Sequence, residues 1–360
     1  MKIVILTFNA SGGLNHYISQ LANSLAKSEE VTVIGPLGFD RAVYSDRVKT
    51  IGMHLGNVIP DIFTDIIIFT RMLDFVRCVR EEQPDIIHCN NFNLWSGFLL
   101  PLFEDVPIVL TVHDVSPHPG TRGFDKRWGL KQHIALADRV IVHGNNAKER
   151  LGLGDKCVSL PHGDYSFFLD FATPVAEEEA ILFFGRIEEY KGLEFLLEAM
   201  VEVGKRYPDV KLIIAGSGDL SKYDDLLRRQ TNLEVHNRYI ADQEVPSFFQ
   251  RAKLVVLPYL EVTQSGVIPI AYSFRKPVVA TDVGSIPEVV DDGATGVIVP
   301  PADARGLASA ITALLDDEER RKRMGENAYR MMRSELSWTE IARRTTDIYR
   351  DLSVRSGDNR

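Results

Sequence analysis

Two cations, Arg186 and Lys191, stand in the stretch Phe184-Gly185-Arg186-Ile187-Glu188-Glu189-Tyr190-Lys191-Gly192, where an apolar run ends and a helical pattern begins. A guanidinium fork and an ammonium point charge suit phosphate oxygens, and the unpaired N–H groups of a helix start add a positive dipole end. The chemistry that fits is the holding of a polyanion. Taken alone, the two side chains read as ordinary surface charges. A second segment changes that reading: Glu261-Val262-Thr263-Gln264-Ser265-Gly266-Val267 lies between an apolar run and a helical stretch that reaches to about Phe274. Small residues there would turn the N–H groups of Ser265, Gly266 and Val267 toward an anion, and beside Arg186 and Lys191 they would complete a diphosphate cradle. Gly216-Ser217-Gly218 follows another apolar run and reads as a turn of close backbone approach.

In the first half, Ser11-Gly12-Gly13 opens a helical pattern, and paired glycines let a phosphate or a sugar come close to a helix N-terminus. The pattern is not GxGxxG, and Ile34 leads into Gly35-Pro36-Leu37-Gly38 rather than to an acidic residue, so a dinucleotide site is disfavoured. His113-Asp114 follows an apolar run directly. The histidine can accept or donate a hydrogen bond near neutral pH, and the aspartate can orient it or bind a hydroxyl. His88 and His143 also end apolar runs and are assigned to local packing and loop contacts.

These residues need a frame. Short β-branched runs alternate with longer helical patterns from end to end, the mark of parallel sheets covered by helices on both faces. Strands are expected at 2–7, 31–34, 85–88, 108–112, 139–143 and 158–161, then at 181–185, 211–215, 234–237, 254–257, 277–281 and 296–299. Helices are expected between them, for example at 15–26 and 61–82, and after the last strand at 303–315, 317–333 and 337–352. With 360 residues, two domains are expected, and periodicity is lost at 164–179, a segment that ends in the acidic run Glu177-Glu178-Glu179 before the next strand. The fold class is therefore α/β, two doubly wound parallel-sheet domains in series, 1–165 and 166–336. In such sheets ligands bind beyond the carboxyl ends of the strands, so two domains facing one another would enclose a cleft.

The net charge of −9 argues against nucleic acid as the main partner. Cys78, Cys89 and Cys157 are too few and too scattered for a disulfide framework or a zinc site, which leads us to expect a reduced, cytoplasmic protein. The apolar run at the N-terminus turns polar too soon for a signal peptide and reads as the first strand.

The order and spacing of Phe184-Gly185-Arg186, Lys191-Gly192-Leu193, Ile214-Ala215-Gly216-Ser217-Gly218, Pro258-Tyr259, Lys276-Pro277-Val278-Val279-Ala280-Thr281-Asp282-Val283-Gly284 and Glu288-Val289-Val290 resemble the GT-B-fold nucleotide-sugar glycosyltransferases, in particular glycosyltransferase family 4. The likeness extends to the Gly12-Gly13 loop, His113, Leu160-Pro161-His162-Gly163-Asp164 and the Ser337-Trp338 helix, which in the family crosses back onto the N-terminal domain. The resemblance implies two Rossmann-like domains and a retaining transfer of a sugar from a nucleoside diphosphate to an acceptor hydroxyl, with no cofactor and no essential metal. It implies His113, Arg186, Lys191 and Glu261 as candidate catalytic groups: the two cations on the departing diphosphate, His113 and Glu261 toward the donor sugar. Gly12, Gly13, Gly216, Gly218, Gln264, Ser265, Gly266 and Val267 are the candidate binding positions. One departure stands out. The family commonly holds the ribose hydroxyls with a glutamate where this chain has Ile270, which cannot accept a hydrogen bond.

The implied partners are a nucleotide-sugar donor and a glycan or lipid-linked acceptor in cell-surface polysaccharide, glycolipid or glycoconjugate biosynthesis. Arg122, Lys126, Arg127 and Lys131 gather near Phe124 and Trp128 within 116–133, a cluster suited either to solvent or to peripheral contact with the inner face of a membrane. A nucleotide-sugar epimerase on a similar scaffold and a noncatalytic nucleotide-sugar-binding subunit are the alternatives.

Overall fold

The computed structural model describes residues 1–8, 12–54, 64–91, 94–115 and 123–358. By packing, the chain divides into two units, one of Met1–His143, Ala147–Leu160 and Trp338–Arg360, the other of Gly144–Asn146 and Pro161–Ser337. The basic residues Arg122, Lys126 and Arg127, with Phe124 and Trp128, have side chains outside the described residues, as does the whole of 116–122.

In the first unit seven strands, β1 (Lys2–Leu6), β2 (Glu30–Pro36), β3 (Val48–Met53), β4 (Ile86–Cys89), β5 (Ile108–Val112), β6 (Arg139–Val142) and β7 (Cys157–Ser159), pair in parallel in the order β3-β2-β1-β4-β5-β6-β7. Parallel strands covered on both faces must be apolar on both, and the alternation of side chains sorts them into two cores. Ile3, Ile5, Val31, Val33, Ile86 and Ile141 pack with the helix Gly13–Leu25, whereas Val4, Leu6, Ile34, Ile87, Val140 and Val142 pack with Phe75, Val79 and Phe103. The sequence pattern missed β3. Lys49, Thr50 and Gly52 break any apolar run there, and as an edge strand with only Val48 fully buried it needs none.

The C-terminal helix Trp338–Asp358 belongs to this first unit. It runs beside the helix Gly13–Leu25 and buries Trp338, Ile341, Ile348, Tyr349 and Leu352 in the same core. At roughly 1.5–3 kcal/mol for each large apolar side chain, that contribution is on the order of 10 kcal/mol, comparable with the whole stability of a domain. The Tyr349 hydroxyl also lies 2.6 Å from Nδ1 of His88, and Nε2 of His88 lies 2.7 Å from Thr111 Oγ1.

The second unit holds β8 (Ala180–Phe184), β9 (Lys211–Ala215), β10 (Leu233–His236), β11 (Leu254–Leu257), β12 (Val278–Thr281) and β13 (Gly296–Val299), all parallel, in the order β10-β9-β8-β11-β12-β13. Its faces alternate likewise. Leu182, Ile213, Val255 and Ala280 meet Phe249, Ile268, Tyr272 and Met332; Ile181, Phe183, Leu212 and Val256 meet Leu196, Leu197, Met200, Ile311 and Leu314. Packing changes unit after Leu160, because Tyr165 and Phe168 sink into the second core and Asp164 N–H donates to Leu336 O at 2.8 Å. The two units thus repeat one doubly wound α/β plan, a parallel sheet of the Rossmann-like kind in each.

Buried histidines make the stability of both units depend on pH. Burial holds the His88 imidazole down at about 3. His162 lies parallel to the Tyr165 ring, and burial, only partly offset by its bond to Gly163 O, holds it at about 4. An unfolded histidine takes its proton near pH 6.5, so each contribution is whole above that pH and drains as the pH falls toward about 3 or 4, at on the order of 1.4 kcal/mol per pH unit for each ring. Trp95, Trp128 and Trp338 all lie in the first unit, so tryptophan fluorescence during urea unfolding reads that unit. We expect its midpoint to drop on acidification below about pH 6.5 and His88→Gln to remove part of that slope. A midpoint that rises on acidification would contradict the burial of an uncharged His88.

Candidate active site

In the second unit the chain leaves β8 toward β9 on one side and returns to β11 on the other, which places the switch point between β8 and β11. Ligands of doubly wound sheets bind beyond the strands at that point. Here the loops after β8 and β11 are locked together by main-chain contacts. Leu260 N–H donates to Tyr190 O at 2.7 Å, and Gly192, in the left-handed region at φ 61°, lies so close to Pro258 that a Cβ would strike its carbonyl oxygen. Lys191 closes the short helical turn Glu189–Lys191. Its Nζ lies 3.3 Å from Tyr259 Oη and 5.0 Å from the centroid of that ring. Tyr259 is only 2% exposed, so the ammonium is held against a fixed aromatic partner, an interaction of about 0.5–2 kcal/mol. Gly185, at φ 111°, ends β8 beneath it: a Cβ there would come within 2.8 Å of Lys191 Nζ and 3.8 Å of Val267 Cγ2. The ammonium is therefore poised over the end of β8 and beside the start of the helix Val267–Ser273.

Gly216 and Gly218 have a structural reason that needs no ligand. Gly185 N–H donates to Ala215 O and Ile187 N–H to Ser217 O, and a Cβ at position 216 or 218 would collide with the backbone of Gly185 or Ile187. The close approach expected at this turn is of chain to chain. Arg186 behaves differently from Lys191: its side chain is 65% exposed, with Nη1 3.9 Å from Glu188 Oε1, so it projects from the loop rather than lying across it. Glu261 is exposed. Gly266 caps the helix Val267–Ser273, and the Val267 N–H donates to the Ser265 hydroxyl at 3.3 Å, so one of the three N–H groups expected to face an anion has a partner of its own. Oε1 of Gln264 is enclosed and accepts no hydrogen bond from any described residue. Ile270, at the position where the resemblance led us to look for a ribose acceptor, is 7% exposed and part of the apolar core. The segment 262–263 is itself pinned from β12's side, where Ser285 N–H donates to Thr263 O and Gly284 touches Val262 O.

In the first unit, Gly12 adopts φ 81° and its carbonyl accepts from Asn15 and His16 N–H, so it turns the chain into the helix that begins at Gly13. A β-carbon at Gly12 would meet nothing within 4 Å; the glycine is there for its backbone angle. His113 follows β5 and is half-buried, while Asp114 is exposed. Tyr17, in the second turn of the helix Gly13–Leu25, stands edge-on to His113 with centroids 4.7 Å apart and edge-on to Trp338 at 5.0 Å. Thus the Gly12-Gly13 turn and His113 are joined through one aromatic ring. His143, assigned from sequence to local contacts, is not merely local: Nε2 lies 3.2 Å from His113 Nδ1, and Nδ1 lies 3.2 Å from Leu160 O.

Two residues of consequence escaped the sequence reading, His143 and Tyr17; the role of Tyr259 as the partner of Lys191 was also unseen. The position of His143 at a strand end was the available signal. Tyr17 and Tyr259 looked like ordinary core aromatics, and they are buried as such.

Comparison with known proteins agrees with this frame. Residues 169–331 match the family described as Glycosyl transferases group 1, and residues 11–163 match the family described as Glycosyltransferase Family 4. The D-inositol 3-phosphate glycosyltransferase of Corynebacterium kroppenstedtii is 28% identical over 96% of this chain and 86% of its own length. Among solved structures, sucrose-phosphate synthase from Thermosynechococcus elongatus superposes with a TM-score of 0.75 at 21% identity, covering 98% of this chain and 99% of that one. Anabaena HepE, solved in complex with UDP and glucose, gives 0.73 at 18% identity over 97% of this chain and 99% of its own.

Lys191→Ala and Gly185→Ala test the geometry of the second unit. Removing the ammonium should lower turnover on the order of 100-fold or more while leaving unfolding of that unit within about 1 kcal/mol, since a charge aimed at a departing anion matters far more than its resting contact with Tyr259. Gly185→Ala should lower turnover too, by displacing Lys191 Nζ, and should destabilise by about 1–3 kcal/mol through its backbone angle. Full activity in both variants, measured by product formation beside urea unfolding, would remove Lys191 from the site.

Proposed function

The chain belongs to the group 1 glycosyltransferases of family 4, and on that premise we propose that it moves a sugar from a nucleoside diphosphate donor to an acceptor hydroxyl, with retention at the anomeric carbon and without an essential metal. As the bond between sugar and diphosphate breaks, its electron pair goes to the phosphate oxygen, the acceptor oxygen forms the new bond to the same face of the same carbon, and the acceptor's proton passes to the departing diphosphate. The observation that carries this reading is the Lys191 ammonium, fixed by Tyr259 at the switch point between β8 and β11. A preplaced charge stabilises the developing anion without having to reorganise, and it supplies what a metal ion otherwise would. Arg186 adds a second, more exposed cation, and Gln264 Oε1, enclosed and unbonded among the described residues, is ready for a donor N–H or hydroxyl. His113 and the Gly12-Gly13 turn in the first unit serve the sugar and the acceptor side. That Anabaena HepE is solved with UDP and glucose supports a nucleoside diphosphate donor, and the named substrate of the Corynebacterium relative supports a phosphorylated polyol as acceptor.

Among the described residues no helix is long and apolar enough to cross a membrane. We place the acceptor at the inner face of the cell membrane, reached by peripheral contact, in cell-surface glycoconjugate synthesis. The helix Gly123–Leu136 packs on the helix Leu94–Leu99, with Ser96 Oγ 2.6 Å from His133 Nε2, and that neighbour presents Phe98 at 56% exposure. Apolar Phe98 beside a helix carrying Lys131 suits an anionic lipid surface.

Two measurements check these readings. In a thermal-shift panel of uridine, guanosine, adenosine and thymidine diphosphates and their sugars, one nucleotide should raise the midpoint equally with and without EDTA. Loss of the shift in EDTA would overturn metal independence, and nucleoside diphosphate released only when acceptor is present would distinguish a transferase from an isomerase. Sedimentation with vesicles of anionic lipid should fall on neutralising Arg122, Lys126, Arg127 and Lys131 together; binding that survives those substitutions, or none in the unaltered chain, would end the membrane proposal.

A further inference from the structure

A neutral imidazole carries one N–H, so two hydrogen-bonded histidines pass their protonation pattern from one ring to the next. The chain of contacts in the first unit begins at a carbonyl. Leu160 O can only accept, so the proton of neutral His143 sits on Nδ1, and Nε2 of that ring holds a lone pair. That lone pair faces His113 Nδ1 at 3.2 Å, which must then donate. The proton of His113 is consequently on Nδ1, and its Nε2 is the acceptor nitrogen of the ring.

The rings have little freedom to rearrange. His143 is 1% exposed, its centroid lies 5.0 Å from that of His113, and Tyr17 contacts both, at 4.7 Å from His113 and 5.2 Å from His143. Tyr17 is held in turn by Trp338 of the C-terminal helix.

We propose that His143 is a positioning residue that fixes His113 in its Nδ1–H form, so that Nε2 presents a lone pair to a hydroxyl of the donor sugar. This rests on the reading of His113 as a contact to that sugar. The consequence is substrate class. A buried acceptor selects a donor sugar that offers O–H at the facing carbon and disfavours one that is deoxy or O-methylated there, because the lone pair is then left without a donor. Without His143 the proton can sit on either nitrogen, and in the fraction of molecules that carry it on Nε2 the ring donates instead, so that an O-methylated sugar is no longer disfavoured while a deoxy sugar still is.

The test reads the proton directly. In the full chain labelled with 15N-histidine, two-bond 1H–15N correlations distinguish a protonated ring nitrogen from one with a lone pair, and His113→Gln identifies the His113 signals by their absence. At neutral pH His113 should show a protonated Nδ1 and a lone pair on Nε2. In His143→Leu the proton should shift at least partly to Nε2, kcat should fall roughly tenfold, the worth of one hydrogen bond, and discrimination between the preferred sugar and its O-methyl analogue should narrow. His143→Gln, whose side-chain oxygen can accept from His113 Nδ1, should recover activity to within about threefold. A purely structural role would not move the proton or the discrimination ratio. His113 found with its proton on Nε2 in the unaltered chain overturns the proposal without any variant having to fold, as does an unchanged proton position in His143→Leu. If His113→Ala leaves turnover unchanged, the sugar contact itself is wrong and the proposal falls with it, a failure distinct from a misassigned proton.

Discussion

Everything proposed for the second unit depends on main chain touching main chain where the strands end. Gly185, Gly192, Gly216 and Gly218 stand where a β-carbon would strike a neighbouring loop or the Lys191 ammonium, so the loops after β8, β9 and β11 close into a single layer. Hydrogen bonds between the loops, such as Leu260 to Tyr190 and Ile187 to Ser217, then hold them. On that layer a flexible lysine acquires a defined position. Its side-chain entropy, up to about 2 kcal/mol, is offset by Tyr259 before any ligand arrives, which is what preorganisation means at the level of one side chain.

The first unit solves a different problem by different means. The histidine proposed to act there, His113, lies in line with His143 and the Leu160 carbonyl, the contacts from which its proton position is inferred. Aromatic packing keeps the pair in register. Because Tyr17 is braced by Trp338, the last helix of the chain supports a residue near its beginning, and the same helix buries Tyr349 against His88. A helix whose apolar face contributes stability on the order of the whole domain is thereby also tied to the site.

The cation pair that first drew attention turns out to be unequal. Lys191 is seated and Arg186 is exposed, a difference invisible in a string of letters because both follow the same strand. Gly216 and Gly218 show the converse: a pattern that looks made for a ligand is already required by the packing of two loops. Ile270 belongs to the core, so the position gives no polar group to a ribose, and Gln264 offers an enclosed acceptor in the same segment.

The sequence alone determined the α/β class, two units and twelve of the thirteen strands among the described residues, since buried parallel strands must be apolar runs and turns need their glycines. It could not show β3, because an edge strand requires neither a run nor an alternation that rises above its polar residues. Nor could it pair His143 with His113, set Lys191 on Tyr259, or turn Tyr17 toward Trp338. Those partners lie 30, 68 and 321 positions apart, and they meet only because strand order and helix packing bring them together. Local pattern fixes which backbone can form at each point. Which side chains face each other across it is decided by the order in which the strands are laid down.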